Sequence, residues 1–282
     1  MGSKTSKVRR PTPTKTKTVV IPIIPHDVIN EILDYLATDS DFRPLRACAL
    51  VSRSWVQPCQ RRLFHTIIFA PWNVGKWLKT FPARERSHVW HLVRHLHLRI
   101  GMVTRIPKKF FECIPWFTDV DRMTFSGSGG VPLGYGGFSS SSEPSSWNLP
   151  RSVTSLTITT DVITLVQVRE IVAQFPNLDD LALSGFFAPV DKRQLPGIGT
   201  VLKGRFSGRL MLHDVCVSED VINMLLEIPS GLRFTDLEIH CTHNRLPSSA
   251  VRLAEACCKT LVKLSHTVGP HCKSYPFRLA AA

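Results

Sequence analysis

The sequence predicts an α/β solenoid: three short helices, then an irregular stack of parallel strands with helices outside. Three observations carry this. From Phe64 onward an apolar signature, φ-x-x-φ-x-φ, recurs in eight copies whose central residues stand 25 to 33 residues apart. Self-similarity at a near-constant period marks a repeat architecture. The intervals also hold stretches with helical periodicity, so strand and helix alternate. The residues ahead of the first copy lack the signature and carry a helix-period apolar stripe instead.

Residues 1–20 read as a disordered basic tail. Lys4, Lys7, Arg9, Arg10, Lys15 and Lys17 lie there with no acid, and almost nothing apolar is available to bury. The start Met1-Gly2-Ser3-Lys4-Thr5-Ser6 fits an N-myristoylation pattern with Gly2 as acceptor. The basic residues behind it would add the electrostatic signal that one acyl chain needs for stable anchoring. An ordinary basic tail or a nuclear-import patch fits the same residues. The tail supplies six charges of the formal +13. The remaining excess is mild and spread over the chain, which disfavours nucleic acid as a partner.

Hydrophobic residues make up 43% of the chain, enough for a real core. No uninterrupted apolar run of about 18 residues predicts a membrane span. The short run from Val19 to Ile24 is broken by Pro22 and fails as a secretory segment. The eight cysteines form no C-x-x-C pair. They are expected to be reduced thiols of an intracellular protein, cytoplasmic or nuclear. Membrane contact is expected only if Gly2 is acylated.

Residues 21–64 read as the helical unit. Val28, Ile29, Ile32, Leu33 and Leu36 form one stripe. Pro25 suits the start of a helix, and Asp27 can offer its carboxylate to the free N–H groups of the first turn. Asp39, Asp41 and Pro44 mark the next turn. A second apolar set follows at Leu45, Ala49, Leu50, Val51, Trp55, Leu63 and Phe64. Three helices of about a dozen residues each are too small to bury such faces alone, so some of that surface must meet the first strand or a partner.

Residues 65–282 read as the repeat domain. The signature centres are Ile67, Leu96, Met123, Leu156, Leu181, Leu210, Leu237 and Leu264. Two copies are degraded: Ser207 replaces the first apolar residue of the sixth, and His266 the last of the eighth. Helices are expected over 74–81, 108–117, 162–175, 219–228 and 249–259, with Pro82, Pro176 and Pro229 as stop signals. Residues 126–147 are rich in Gly and Ser and read as a flexible surface loop, in which Tyr135, Phe138 and Trp147 are possible contacts. Strand, turn and helix at this period resemble an irregular leucine-rich repeat, without the family's usual Asn after the motif.

The 21–64 unit resembles an F-box, and the whole chain the F-box family of fungal type with a C-terminal leucine-rich-repeat-like domain. The matching residues are the opening Ile24-Pro25, the stripe Val28, Ile29, Ile32, Leu33, Leu36, and the run Leu45-x-x-Cys48-x-Leu50-Val51-Ser52-Arg53-Ser54-Trp55. Ile24 stands where the family usually has Leu, and Ser52 where it has Cys or Ser. The resemblance implies a substrate-recognition adaptor of an SCF-type (cullin-RING) ubiquitin ligase. The F-box would dock on the SKP-type adaptor subunit, which joins it to the cullin scaffold. Pro25, Ile29, Ile32, Leu33, Leu36, Leu50, Val51 and Trp55 would form that interface or the packing beneath it. A different reading keeps the helices as a cap on a non-ligase repeat scaffold that binds a protein or an anionic membrane surface.

Strand alternation turns the signature residues inward. His95, His97, Arg99, Arg122, Arg209, Asp236 and Glu238 then lie on the opposite, concave face, where a target protein would bind. That face is expected to start basic, pass through Ser and Thr, and end acidic at Asp236 and Glu238. No catalytic residue and no cofactor are expected. His91 and His95 have the spacing of a helical metal pair but straddle a turn, and His240, Cys241 and His243 form a second weak cluster. Residues 199–206 imitate the glycines of a phosphate loop without its Lys-Ser/Thr, and no G-x-S-x-G occurs.

Overall fold

The computed structural model describes residues 24–38, 41–70, 72–81, 88–99, 108–127, 148–160, 165–184, 207–213, 218–226, 232–241 and 248–268. Three helices come first: α1 (His26–Ala37), α2 (Arg43–Cys48) and α3 (Arg53–Leu63). The strands are β1 (Thr66–Phe69), β2 (His95–Arg99), β3 (Arg122–Gly127), β4 (Ser155–Thr160), β5 (Asp180–Ser184), β6 (Arg209–His213), β7 (Asp236–Cys241) and β8 (Lys263–Val268). Between them lie α4 (Val74–Thr80), α5 (Lys108–Cys113), α6 (Leu165–Val172), α7 (Glu219–Leu226) and α8 (Ser248–Ala256).

The eight strands form one all-parallel sheet in chain order, β1 to β8. Its register pairs the signature centres with one another: Ile67 with Leu96, Leu96 with Met123, Met123 with Leu156, and so on to Leu237 with Leu264. The uneven intervals are therefore taken up between strands, in the crossovers that parallel neighbours require. Both degraded copies still form strands.

At the strand starts one carbonyl accepts two successive N–H groups of the next strand. His65 O, for example, receives Arg94 N and His95 N, each at 2.9 Å. Arg94, Asp121, Thr154, Gly208 and Thr235 repeat the arrangement. The sixth copy departs from it: Asp179 O is paired with Arg209 N alone, at 2.7 Å. A Cβ added at Gly208 would lie 2.1 Å from Asp179 O. This close approach is why glycine stands just ahead of β6, in the copy where Ser207 replaces the first apolar residue.

One core runs beneath the sheet. It joins the inward strand residues to Val74, Ile114, Val168, Ile171, Val221, Leu225, Ala250 and Leu253. All the inward residues share one parity along the strands, so the helices cover one face. The other face stays open and half-exposed, unlike parallel sheets that carry helices on both sides. Around β1 to β3 the core is aromatic. Trp90 meets Phe117 at 4.6 Å and Trp116 at 5.3 Å, and Trp77 meets Phe69 at 5.4 Å, in edge-to-face contacts.

The helical unit has a core of its own: Ile29, Leu33, Leu45 and Cys59, with Leu36, Cys48, Trp55 and Leu63 packed against it. Arg62 ties α1 to α3. Its Nε donates to Asp34 Oδ1 at 2.8 Å and its terminal nitrogens to Asn30 O and Pro58 O at 3.1 Å. Phe64 makes the aromatic link to the sheet, edge-on to Trp77 at 6.4 Å and to Phe81 at 6.0 Å.

Several expectations change. Asp27 lies in the first turn of α1, but Pro25 is the N-cap and no side chain caps the helix. Asp27 contributes only through the helix dipole. Pro44 does not mark a turn; it sits in the first turn of α2, where a missing N–H costs nothing. That helix has six residues rather than a dozen. Ser126 and Gly127 belong to β3, paired with Thr159 and Thr160, instead of to a loop. The expected helix over 108–117 gives way after Cys113 to a 3-10 turn, Ile114–Trp116, with Pro115 inside it. Gly2, the basic tail, Asp39, residues 128–147 and residues 199–206 lie outside the described residues.

Candidate functional site

Two surfaces stand out. The first is on the helical unit. In α1 the stripe splits in two: Ile29 and Leu33 are buried, while Val28, Ile32 and Tyr35 are exposed. The cause is the 3.6-residue period. Ile29 and Leu33 stand one turn apart against α3, and Ile32 and Val28 fall on the flank. Of the stripe residues named above for an interface or the packing beneath it, Ile29 and Leu33 are the buried ones. Leu36 and Trp55 are half-buried against the same core.

Leu50 and Val51, between α2 and α3, are 88% and 68% exposed. Ser52 explains their position. Its hydroxyl accepts the Ser54 N–H at 3.2 Å and caps α3, which leaves Leu50 and Val51 in the short link ahead of the cap. Among the described residues, seven of the eleven large exposed apolar side chains lie here: Ile24, Val28, Ile32, Tyr35, Phe42, Leu50 and Val51. Tyr35 and Phe42 belong to this surface without having been singled out in the sequence. Pro25 is exposed at its border.

The second surface is the open face of the sheet. His95, His97, Arg99, Arg122, Arg209, Asp236 and Glu238 all lie on it, as strand parity requires. Its two halves differ. Over β2 to β4 the imidazoles are tied to hydroxyls one strand away: His95 Nε2 lies 2.8 Å from Thr124 Oγ1, and His97 Nε2 lies 2.6 Å from Ser126 Oγ. Burial, with the charge of Arg122 adding to it, pushes the pKa of His95 down to about 4. Burial also lowers His97, with Arg99 adding.

Over β6 to β8 the expected acidic end is not a free acidic patch. Arg209 bonds to Glu238 Oε2, and His240 Nε2 sits 2.8 Å from Glu238 Oε1. Those bonds, the arginine's first, hold the Glu238 carboxyl below its ordinary pKa. The His240 ring stacks on His213 at 4.3 Å. Asp236 pairs in register with Arg209 on one side and Lys263 on the other, so the row alternates in sign. The charges and their register follow from the repeat spacing; the diagonal bond from Arg209 to Glu238, which is not its register partner, does not.

A recess of about 560 Å³ opens between the halves, over β3 to β6. Arg122 and Arg209 flank it, Ser155, Thr157 and Ser184 line it, and Ala182 leaves room at its floor. A larger recess, about 880 Å³, lies where β3 and β4 begin, among Pro115, Phe117, Leu149, Pro150 and Gln174.

His91 turns from His95 to Thr118 Oγ1, at 2.9 Å. His240 and Cys241 point to opposite faces, and His243 lies outside the described residues. Among the described residues no three His, Cys, Asp or Glu side chains could hold a metal ion together. Cys257 is buried, and burial pushes its thiol up to about 11. No described helix is long and apolar enough to cross a membrane. No family model and no curated protein matches the chain.

Proposed function

We propose that the chain is the substrate-binding subunit of an SCF-type ubiquitin ligase. The helical unit, read as an F-box, docks on the SKP-type adaptor subunit. The sheet and its helices, read as a leucine-rich-repeat-like solenoid, hold a target protein. In this role the chain does no chemistry; it raises the concentration of the target beside the ligase.

The supporting observation is the concentration of exposed apolar side chains on the helical unit, led by Leu50 at 88%. Large apolar side chains left exposed together on one small unit are the mark of an interface. Within it Ile32, Leu50 and Val51 supply contact, Leu36 and Trp55 its inner edge, and Ile29 and Leu33 the packing that shapes it. The open sheet face supports the second half of the reading, since its polar residues are reachable from solvent.

The test is co-purification of the full chain with an SKP-type adaptor. Leu50→Asp with Val51→Asp removes two exposed contacts without touching the core, so folding is retained while association falls at least tenfold, a central contact being worth 2 kcal/mol or more. A wild-type chain that captures no adaptor, or a double variant that binds as well as wild type, overturns the reading.

A further inference from the structure

The hydroxyl groups of the open face fall into two sets. On β3, Thr124 and Ser126 are engaged by the rings of His95 and His97. One strand further on, Ser155 and Thr157 of β4 line the recess and have no side-chain hydrogen bond within the described residues, and the same holds for Ser184 of β5. Arg122 stands beside them, in register with Ser155. Its guanidinium has no acidic partner among the described residues, whereas Arg209 across the recess is held by Glu238. An unpaired guanidinium next to two unengaged hydroxyls is a set of hydrogen-bond donors facing solvent.

We propose that Arg122, Ser155 and Thr157 receive a carboxylate from an acidic side chain of the target protein, seated at the β3–β4 side of the recess. This rests on the reading that the open face holds the target. The charges around the site select the ligand. Asp180 lines the same recess, in register with Ser155 on one side and with Arg209, its neighbouring counter-charge, on the other; it stands two strands from Arg122, about 10 Å away at ordinary strand spacing. It leaves Arg122 unneutralised but repels a second negative charge, and Asp236 and Glu238 lie beyond it. A nucleic acid or a run of acids is therefore disfavoured. One unpaired cation with two hydroxyls matches a monoanionic carboxylate better than a dianionic phosphate. His95 reports occupancy: Arg122 lowers its pKa, so an anion on Arg122 raises it.

The experiment uses the full chain, with three blocked tripeptides as probes: Ac-Ala-Glu-Ala-NH2, its Gln analogue and its phosphoserine analogue. Binding is read from backbone amide shifts of Thr157 and Ala182 and from the titration of the His95 ring. The Glu peptide is expected to bind tightest of the three and to raise the pKa of His95. Arg122→Gln weakens it about tenfold, the scale of a charge-assisted bond, while Arg252→Gln, at a cation on α8 away from the open face, leaves it unchanged. Both arginines are exposed, and unaltered amide spectra confirm that the variants fold. Equal binding of the Gln peptide, no binding of any peptide, or no effect of Arg122→Gln overturns the proposal. Tighter binding of the phosphoserine peptide overturns the carboxylate assignment. The adaptor is absent from this experiment, so a failure here leaves docking through the helical unit standing.

Discussion

From β1 to β7 no inward-facing apolar side chain is more than 7% exposed, whereas in the helical unit Leu50, Tyr35 and Val51 stand at 88%, 76% and 68%. Both regions draw on the same apolar residue types, and the difference is one of neighbours. Each internal strand of the sheet is flanked on both sides by copies of itself, with helices beneath, so its inward residues are enclosed whichever copy they belong to. The helical unit has no second copy. Three helices close around four buried residues, and among the described residues the flanks of α1 and the link before α3 have nothing left to pack against. Apolar content alone therefore does not separate buried from exposed side chains; enclosure by neighbours does.

The largest effect expected breaks the enclosed side. Phe125 is fully buried in the sheet core, and Phe125→Ala should cost about 3–5 kcal/mol in urea unfolding. Leu50→Ser, which removes an apolar side chain of comparable chemistry from the exposed side, should stay within about 0.5 kcal/mol of wild type. Comparable losses for the two variants would mean that Leu50 is enclosed in solution, and the contrast between the regions would fail.

The second effect sharpens the boundary between the regions. Leu33 belongs to the helical core and not to the sheet core. Leu33→Ala should cost about 2–4 kcal/mol locally. In hydrogen exchange, α1 and α3 should lose protection while the amides of β2 to β7 keep theirs. Loss of protection in both regions together would show that Phe64, packed on Trp77 and Phe81, couples them into one cooperative unit.

Much of the sheet was legible in the sequence because a parallel register carries signature centre to signature centre. The spacing of Ile67, Leu96 and Met123 along the chain is the pairing of the strands in space. Even the degraded copies were placed: the sixth, with Ser207, lies between intact neighbours β5 and β7, and the eighth, with His266, pairs with intact β7. Side-chain partners were less legible. The acids Asp236 and Glu238 read as an exposed patch because their partner Arg209 lies a full repeat earlier. Arg62, which bonds to Asp34 and Asn30, gave no signal, because its partners sit one helix away in a turn-dependent position. The split of α1 into Ile29 and Leu33 against Ile32 and Val28 was present in the period. Which of the two rows faces inward depends on where α3 lies.

The smallest effect concerns the imidazoles, which divide the open face from the covered one. His95 and His97 are half-buried on the open face, and His266 is buried on the covered face, where its Nε2 has no hydrogen-bond partner among the described residues. Burial lowers all three, with Arg122 adding at His95, Arg99 at His97 and His240 at His266. In the unfolded chain each titrates near 6.5, so between that value and the lower folded one the unfolded state binds more protons. The neutral rings therefore contribute their full stability above about pH 6.5, and it is lost as pH falls toward about 4, the folded value of His95. For His95 the loss should be about 1–2 kcal/mol, less than the whole shift implies, because water screens a half-exposed ring. Carboxylates elsewhere also titrate in this range, so the measurement is a difference. In urea unfolding, the stability of wild type relative to His95→Gln should be lower at pH 4.5 than at pH 7, since Gln keeps a donor toward Thr124 but takes up no proton. A gap between the two proteins that stays constant across that range would mean that the His95 ring is as well solvated in the folded chain as in the unfolded one. The hydroxyl of Thr124 would then be as open to a ligand as those of β4.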